Sequence, residues 1–296
     1  MNILLTGSTG LIGRHLSERL KGQGHNIYPL YRNTSTDKKH YWFPDESRIH
    51  LDEEISIDAV IHLAGENIAD SRWTDEKKEA ILNSRVHGTR LLAEAVNALQ
   101  HKPEVFISAS AIGYYGETGD NIVDEESGRG TGFLSDIAAQ WEAETQAIED
   151  AHIRTIHLRT GIVLSPEGGV LKKMLLPFKM GLGGIVGNGR QYMSWISIND
   201  VCQIIGNMIN DAQFSGPYNL VSPQAVTNRT FTKSLGRVLH RPTFFPLPEF
   251  VARLLFGEMA DALLLSSSRV VPTRLNSLGY KFIDNDLDRT LMKLLK

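Results

Sequence analysis

A single cysteine, Cys202, among 296 residues excludes a disulfide framework within the chain and a multi-cysteine metal site, and it points to a reducing compartment. Charge of one sign is also lacking. With 31 Lys and Arg against 34 Asp and Glu the formal net charge is −3, so no long-range field draws the chain to nucleic acid or to an anionic membrane, and any anion site must be local. No apolar run is long enough to span a membrane, and no basic leader precedes the first structural residues; a cytoplasmic protein is expected. The ten histidines show no His-Glu-x-x-His or comparable spacing, so no metal site is expected. Repeats and low-complexity tracts are missing. At this length the chain can bury a sizeable core as one large α/β domain, or as a nucleotide domain with a smaller partner.

What is present begins at the N-terminus. Ile3 to Leu5 read as a buried strand, Gly7, Gly10 and Gly13 follow at equal spacing, and Leu11, Ile12, Leu16 and Leu20 recur at helical spacing. That order makes a dinucleotide site of Gly7, Thr9, Gly10, Leu11, Ile12 and Gly13. Gly7 ends the strand in a tight turn, Gly10 admits a pyrophosphate to the backbone, and Gly13 brings the helix close to the sheet. The helix N-terminus then faces the phosphates. Gly24 stops the helix before a second strand, Asn26 to Leu30.

Strand and helix patterns continue to alternate, which predicts a doubly wound parallel sheet covered on both faces. A polar stretch runs from Asn33 to Ser47, with a short strand near Arg48 to Leu51 and a stronger one at Asp58 to Leu63. A long helix is expected from Thr74, as cap, to about Leu99, then a strand at Glu104 to Ser108, a helix from Leu134 to about Ala151, and a strand at Arg154 to Arg159. Residues 1–164 therefore read as the nucleotide-binding domain and 165–296 as a substrate-side and C-terminal helical region, with about 195–222 returning to the main core. The glycine- and proline-rich sequence from Ser165 opens the second region. Helices are expected at Asp200 to Asp211, Thr230 to Leu239, Pro248 to Phe256 and Asp286 to Leu295, with a strand at Pro217 to Val221. Cys202 reads as a core residue of the first of these helices. Asp200 reads as a cap or anchor, and Lys172 to Leu176 as a solvated helix face.

The end of the second strand, where an NAD site carries Asp or Glu, has Tyr31-Arg32-Asn33 instead. Arg32 can hold a 2′-phosphate by charge-assisted bonds, which favours NADP; otherwise it is a solvated loop cation. Leu63, Ala64 and Gly65 form a small turn that can pass beside the cofactor, or simply a tight strand-to-helix connection. Gly187 to Gln191 offers donors for a phosphate or sugar, although turn chemistry explains its glycines equally well.

Thr6-Gly7-x-x-Gly10-x-x-Gly13, His62-Leu63-Ala64-Gly65 and Ser108-Ala109-Ser110 resemble, in order, the extended, epimerase-like short-chain dehydrogenases/reductases. Glu66-Asn67-Ile68, Arg72-Trp73, Ser110 to Gly116, Trp141-Glu142, Leu158 to Leu164, Leu182 to Gly184, Gly187 to Gln191 and Trp195 to Asp200 resemble an atypical epimerase branch with a small C-terminal helical domain. The resemblance implies a Rossmann fold, NADP binding, and a small polar carbonyl or hydroxyl substrate such as a nucleotide sugar.

Active members of that superfamily carry a Tyr-x-x-x-Lys helix. None of the eight tyrosines has lysine four residues later, and the corresponding helix has Leu134 and Ala138 at the two positions, neither able to exchange a proton. Ser110 remains at the serine position, to orient a substrate oxygen or to bond nearby backbone. Tyr114 and Tyr115 follow it in a glycine-flanked loop. One of them could replace the missing acid/base, with help from a cation because a phenol ordinarily titrates near about 10; alternatively both rings pack the loop. Two functional classes follow: an NADP-dependent oxidoreductase or epimerase using Ser110 with Tyr114 or Tyr115, and a non-catalytic NADP(H)-binding protein that senses redox state or stabilises a partner. Oligomeric state is left open by the sequence.

Overall fold

The computed structural model describes residues 1–33, 39–52 and 54–296. The first unit is β1 (Asn2–Thr6), α1 (Leu11–Gly22) and β2 (Asn26–Pro29). Next come β3 (Ala59–His62), α2 (Asp75–Ala98), β4 (Val105–Ala111), α3 (Phe133–Ala143), α4 (Gln146–Asp150) and β5 (Arg154–Thr160). The last third adds α5 (Gly169–Lys179), α6 (Ile198–Asn210), β6 (Gly216–Leu220), α7 (Asn228–Val238), α8 (Glu249–Phe256), α9 (Thr273–Ser277) and α10 (Leu287–Leu295). The six strands form one sheet in the order β6-β5-β4-β3-β1-β2, every pair parallel.

Sequence alternation dictates the two-sided core. Ile3, Leu5, Ile61 and Ile107 face α1 and α6, packing on Leu16, Leu20, Val201 and Ile205. Leu4, Val60 and Phe106, one residue out of phase, face α2 through Leu92, Ala93 and Val96. Successive strand side chains point to opposite faces, and both faces here are covered, so these strands read as continuous apolar runs. Thr74 caps α2 by accepting from Lys77 N at 3.2 Å, as expected of a helix start. Cys202 is buried in the α6 face, where burial pushes its thiol up to about 12. A second core of Leu171, Phe178, Trp195, Phe231, Leu235 and Leu291 joins α5, α7 and α10.

Several local expectations differ from the structure. The helix expected over 134–151 is two, α3 and α4, because Thr145 Oγ1 bonds Glu142 O and His157 Nε2, both at 2.8 Å, and interrupts the run. Ser108 to Ser110 lie within β4, not beyond it. The glycine-rich stretch after Ser165 contains a helix, α5, which includes Lys172 to Leu176 and extends beyond them on both sides, with Pro177 accommodated in its last turns. Of the polar stretch 33–47, residues 34–38 lie outside those described, while Tyr41–Phe43 pairs with both Tyr31–Arg32 and Arg48–His50 in a three-stranded sheet. No helix among the described residues is long and apolar enough to cross a membrane.

Candidate cofactor cleft and polar centre

The connection reverses between β1 and β3, so the crevice at the carboxyl ends of these strands is the ligand position of an open α/β sheet. There Gly7 adopts φ +66°, and a Cβ on it would stand 2.8 Å from the Leu63 carbonyl carbon. A Cβ on Gly13 would stand 2.1 Å from Gly7 O. Both contacts are with backbone, which cannot yield, so the close approach of turn, helix and neighbouring strand requires these glycines. Gly10 is the N-cap of α1 and makes no side-chain cap, and the first turn carries no acid. The orphan N–H groups of Leu11, Ile12 and Gly13 are therefore left with the positive end of the helix, a cradle suited to phosphate. Thr9 is exposed in the preceding turn.

Thr6 and His62 tie this loop to the next turn. Thr6 Oγ1 accepts from Leu63 N and Ala64 N at 3.0 Å each and lies 2.7 Å from His62 Nδ1. The hydroxyl proton therefore goes to Nδ1, and Nε2–H donates to Thr89 Oγ1 at 3.0 Å. Burial, reinforced by the charge of Arg85, pushes His62 down to about 3, so the ring is neutral. From Ala64 and Gly65 a cleft of about 470 Å³ extends to Arg32 and Trp42. Arg32 is half exposed, with Asp45 at 3.7 Å from it.

A polar centre lies further along the same edge of the sheet. Arg159 on β5 is paired in register with Ser110 on β4. Its Nε and Nη2 donate to the two oxygens of Glu142 at 2.8 Å each, and Ser110 Oγ donates to Glu142 Oε1 at 2.6 Å. Burial alone would push Glu142 up; the hydrogen bonds and charge of Arg159 more than reverse that and hold it below the usual carboxylate range. An ionised carboxylate has no proton to give, so Ser110 must be the donor and presents only lone pairs elsewhere.

The two tyrosines are treated differently. Tyr115 is buried; its hydroxyl accepts from Arg159 Nη1 at 3.0 Å and donates to Asn219 Oδ1 at 2.8 Å. Burial pushes it up to about 12 against the pull of Arg159. Tyr114 lays its ring 3.5 Å from the Arg159 guanidinium carbon, and its hydroxyl has no hydrogen-bond partner among the described residues. Leu134 and Ala138 occupy α3 nearby, Leu134 beside Gly113. Elsewhere, Gln191 is buried and donates to Val186 O and Leu264 O, and Asp200 accepts from Tyr280, Ile283 and Asp284, anchoring the C-terminal segment.

Glu142, Arg159 and Asn219 received no role from the sequence. One signal was available: Thr155, His157 and Arg159 alternate along a strand that must be buried, and polar groups at period two inside a parallel sheet need partners. Thr155 donates to Ile153 O, whereas the partners of His157 and Arg159, Thr145 and Glu142, are on the junction after α3 and on α3 itself.

Six parallel strands with a glycine-closed phosphate cradle at the switch point define a Rossmann-type fold of the extended short-chain dehydrogenase class. The chain belongs to the NAD dependent epimerase/dehydratase family, whose model matches residues 3–220; residues 247–294 match a domain of unknown function, DUF1731. It is 38% identical to epimerase family protein YfhF of Bacillus subtilis over 100% of this chain and 98% of that protein. The crystal structure of human epimerase family protein SDR39U1 (isoform 2) with NADPH superposes with TM-score 0.90 at 31% identity, covering 99% of each chain. The nucleoside-diphosphate sugar epimerase from Corynebacterium glutamicum gives TM-score 0.83 at 35% identity over 100% of this chain and 58% of that one.

Proposed function

We propose that this chain is an NADP(H)-binding, epimerase-like oxidoreductase of the cytoplasm acting on a small polar hydroxyl or carbonyl substrate, with nucleotide sugars as the leading class. The observation that carries the cofactor reading is the α1 cradle, where Gly13 lies against Gly7 O and the first-turn N–H groups are uncapped. The NADPH-bound human relative supports it. In this reading Gly7, Thr9, Gly10, Leu11, Ile12 and Gly13 hold the pyrophosphate, Leu63, Ala64 and Gly65 line the ribose side, and Arg32 takes the 2′-phosphate. When bound, the dinucleotide supplies or accepts a hydride.

Ser110 and Tyr114 are the residues proposed to position the substrate oxygen. Ser110 donates its hydroxyl hydrogen bond to Glu142, so its free lone pairs receive a substrate hydroxyl rather than polarise a carbonyl. Tyr114 has no hydrogen bond to its hydroxyl among the described residues, and the Arg159 guanidinium stacks on its ring and fixes the ring's position. Tyr115, with both hydrogen bonds satisfied, holds the loop. Calorimetry with NADPH and NADH tests the cofactor; equal affinities refute the NADP assignment. Single-turnover hydride transfer with a panel of nucleotide sugars and carbonyl compounds tests the chemistry. Loss of turnover in Tyr114→Phe and Ser110→Ala at unchanged NADPH affinity is expected, with Tyr115→Phe mainly destabilising the fold. Unchanged turnover in both former variants overturns the assignment. The apolar Leu134 and Ala138 on α3 favour a second reading, a non-catalytic NADP(H) sensor, which gains if NADPH binds and no substrate in the panel reacts.

A further inference from the structure

Arg85 occupies the inward stripe of α2, with Ile81 before it and Thr89 and Leu92 after it all buried. A cation on such a stripe needs a counter-charge, yet among the described residues no carboxylate lies within ion-pair distance. The acid nearest in its field, Glu66, is engaged by Lys77 at 2.6 Å. Of the five N–H groups of the guanidinium, only those on Nη1 have acceptors among the described residues, Ile81 O at 3.2 Å and Ser84 Oγ at 3.5 Å.

It adjoins the cleft, whose lining includes Gly65 and Ser84. A Cβ on Gly65 would meet Arg85 Cζ and Nη2 at 3.4 Å, so the guanidinium lies directly against the turn after β3. The guanidinium carbon also stands 5.0 Å from the ring centroid of Trp141. Trp141 is only 5% exposed, and its Nε1–H has no acceptor. Trp141 lies one helical turn beyond Ala138 on α3, so both occupy the same stretch of helix surface. A buried donor without an acceptor costs about 1–3 kcal/mol, and an uncompensated cation more. The half-buried cation and the buried donor come from different helices and are in contact, with the guanidinium against one turn of the cleft.

We propose that Arg85 and Trp141 form an anion-binding subsite at the carboxyl edge of the sheet, which receives an anionic oxygen group of the phosphate or carboxylate type. The source is either the dinucleotide or the substrate, and the inference rests on the cofactor reading for its position beside the bound nucleotide. With Ala138 uncharged, the cation on this helix surface is contributed from α2 rather than from α3.

The test follows the indole N–H resonances of the uniformly labelled full chain, with that of Trp141 identified by its loss in Trp141→Phe. NADPH is titrated first, then inorganic phosphate into the NADPH-saturated protein. A shift of the Trp141 resonance with NADPH assigns the anion to the cofactor; a shift only with phosphate assigns it to the substrate. Arg85→Gln should weaken the same ligand by about tenfold or more, and Arg85→Lys by less. No shift in either titration, or unchanged affinities in Arg85→Gln, overturns the subsite. Should Arg85→Gln not fold, Arg85→Lys and the spectra of the unmodified protein decide. Should NADPH not bind the unmodified protein, the cofactor reading falls, and phosphate titrated into the free protein decides the subsite by the same two readouts.

Discussion

Replacing Glu142 with Gln isolates what the polar centre contributes. The side chain keeps its shape, but one oxygen becomes an amide nitrogen, so one of the two 2.8 Å bonds from Arg159 turns into a donor facing a donor. Arg159 cannot relax into water, since its side chain is 5% exposed and that of Glu142 12%. Breaking a buried pair from one side costs about 3–5 kcal/mol because the remaining charge is stranded. With one acceptor retained, Glu142→Gln should lose roughly 3 kcal/mol, which at about 2.1 cal/mol/K of unfolding entropy per residue lowers Tm by about 5 °C for a chain of 296 residues. Urea unfolding of the variant, of Arg159→Met and of the double variant measures the coupling. The double variant should be less destabilised than the sum of the two, because removing both partners leaves no orphan. The acid limb supplies an independent check. Glu142 titrates below its ordinary value of 4.5 in the fold, so its contribution is complete above that value and is lost as pH falls through the folded pKa. Glu142→Gln should therefore flatten the acid limb. A loss below about 1 kcal/mol, the range of an exposed ion pair, or an unchanged acid limb, would refute the reasoning.

Arg32→Ala should remove most of any preference for NADPH over NADH, a loss of about 1.5–3 kcal/mol for one charge-assisted phosphate contact, read by calorimetry with both cofactors. Gly13→Ala places a methyl 2.1 Å from Gly7 O; backbone displacement of that kind costs about 1–3 kcal/mol and should abolish NADPH binding, and retained affinity in a titration would show that the cradle is not where the nucleotide sits. His62 is held down to about 3 from an ordinary 6.5, so the unfolded chain takes a proton that the folded site refuses. Stability should fall as pH drops below 6.5, by up to about 1.4 kcal/mol per pH unit from this group, and the difference between the protein and His62→Gln in urea unfolding at several pH values gives its share.

The N-terminal strand, turn and helix were legible in the sequence because their signals are local. Three glycines at fixed spacing, an apolar run before them and a helical repeat after them specify strand, turn and helix by sterics alone, and Gly7 and Gly13 behave as that spacing implies. Short apolar runs likewise identified the strands of the sheet. The polar centre was not legible, because its members come together only through the sheet. Ser110 and Arg159 become neighbours by the register of β4 with β5, and Tyr115 meets Asn219 across 104 residues of sequence. Which of two adjacent tyrosines keeps a free hydroxyl was therefore decided by where Arg159 and Asn219 stand. Glycine conformation is a property of the residue itself, whereas the ionisation and hydrogen bonding of Glu142, Arg159 and Arg85 belong to an environment that exists only once distant segments have packed and excluded water.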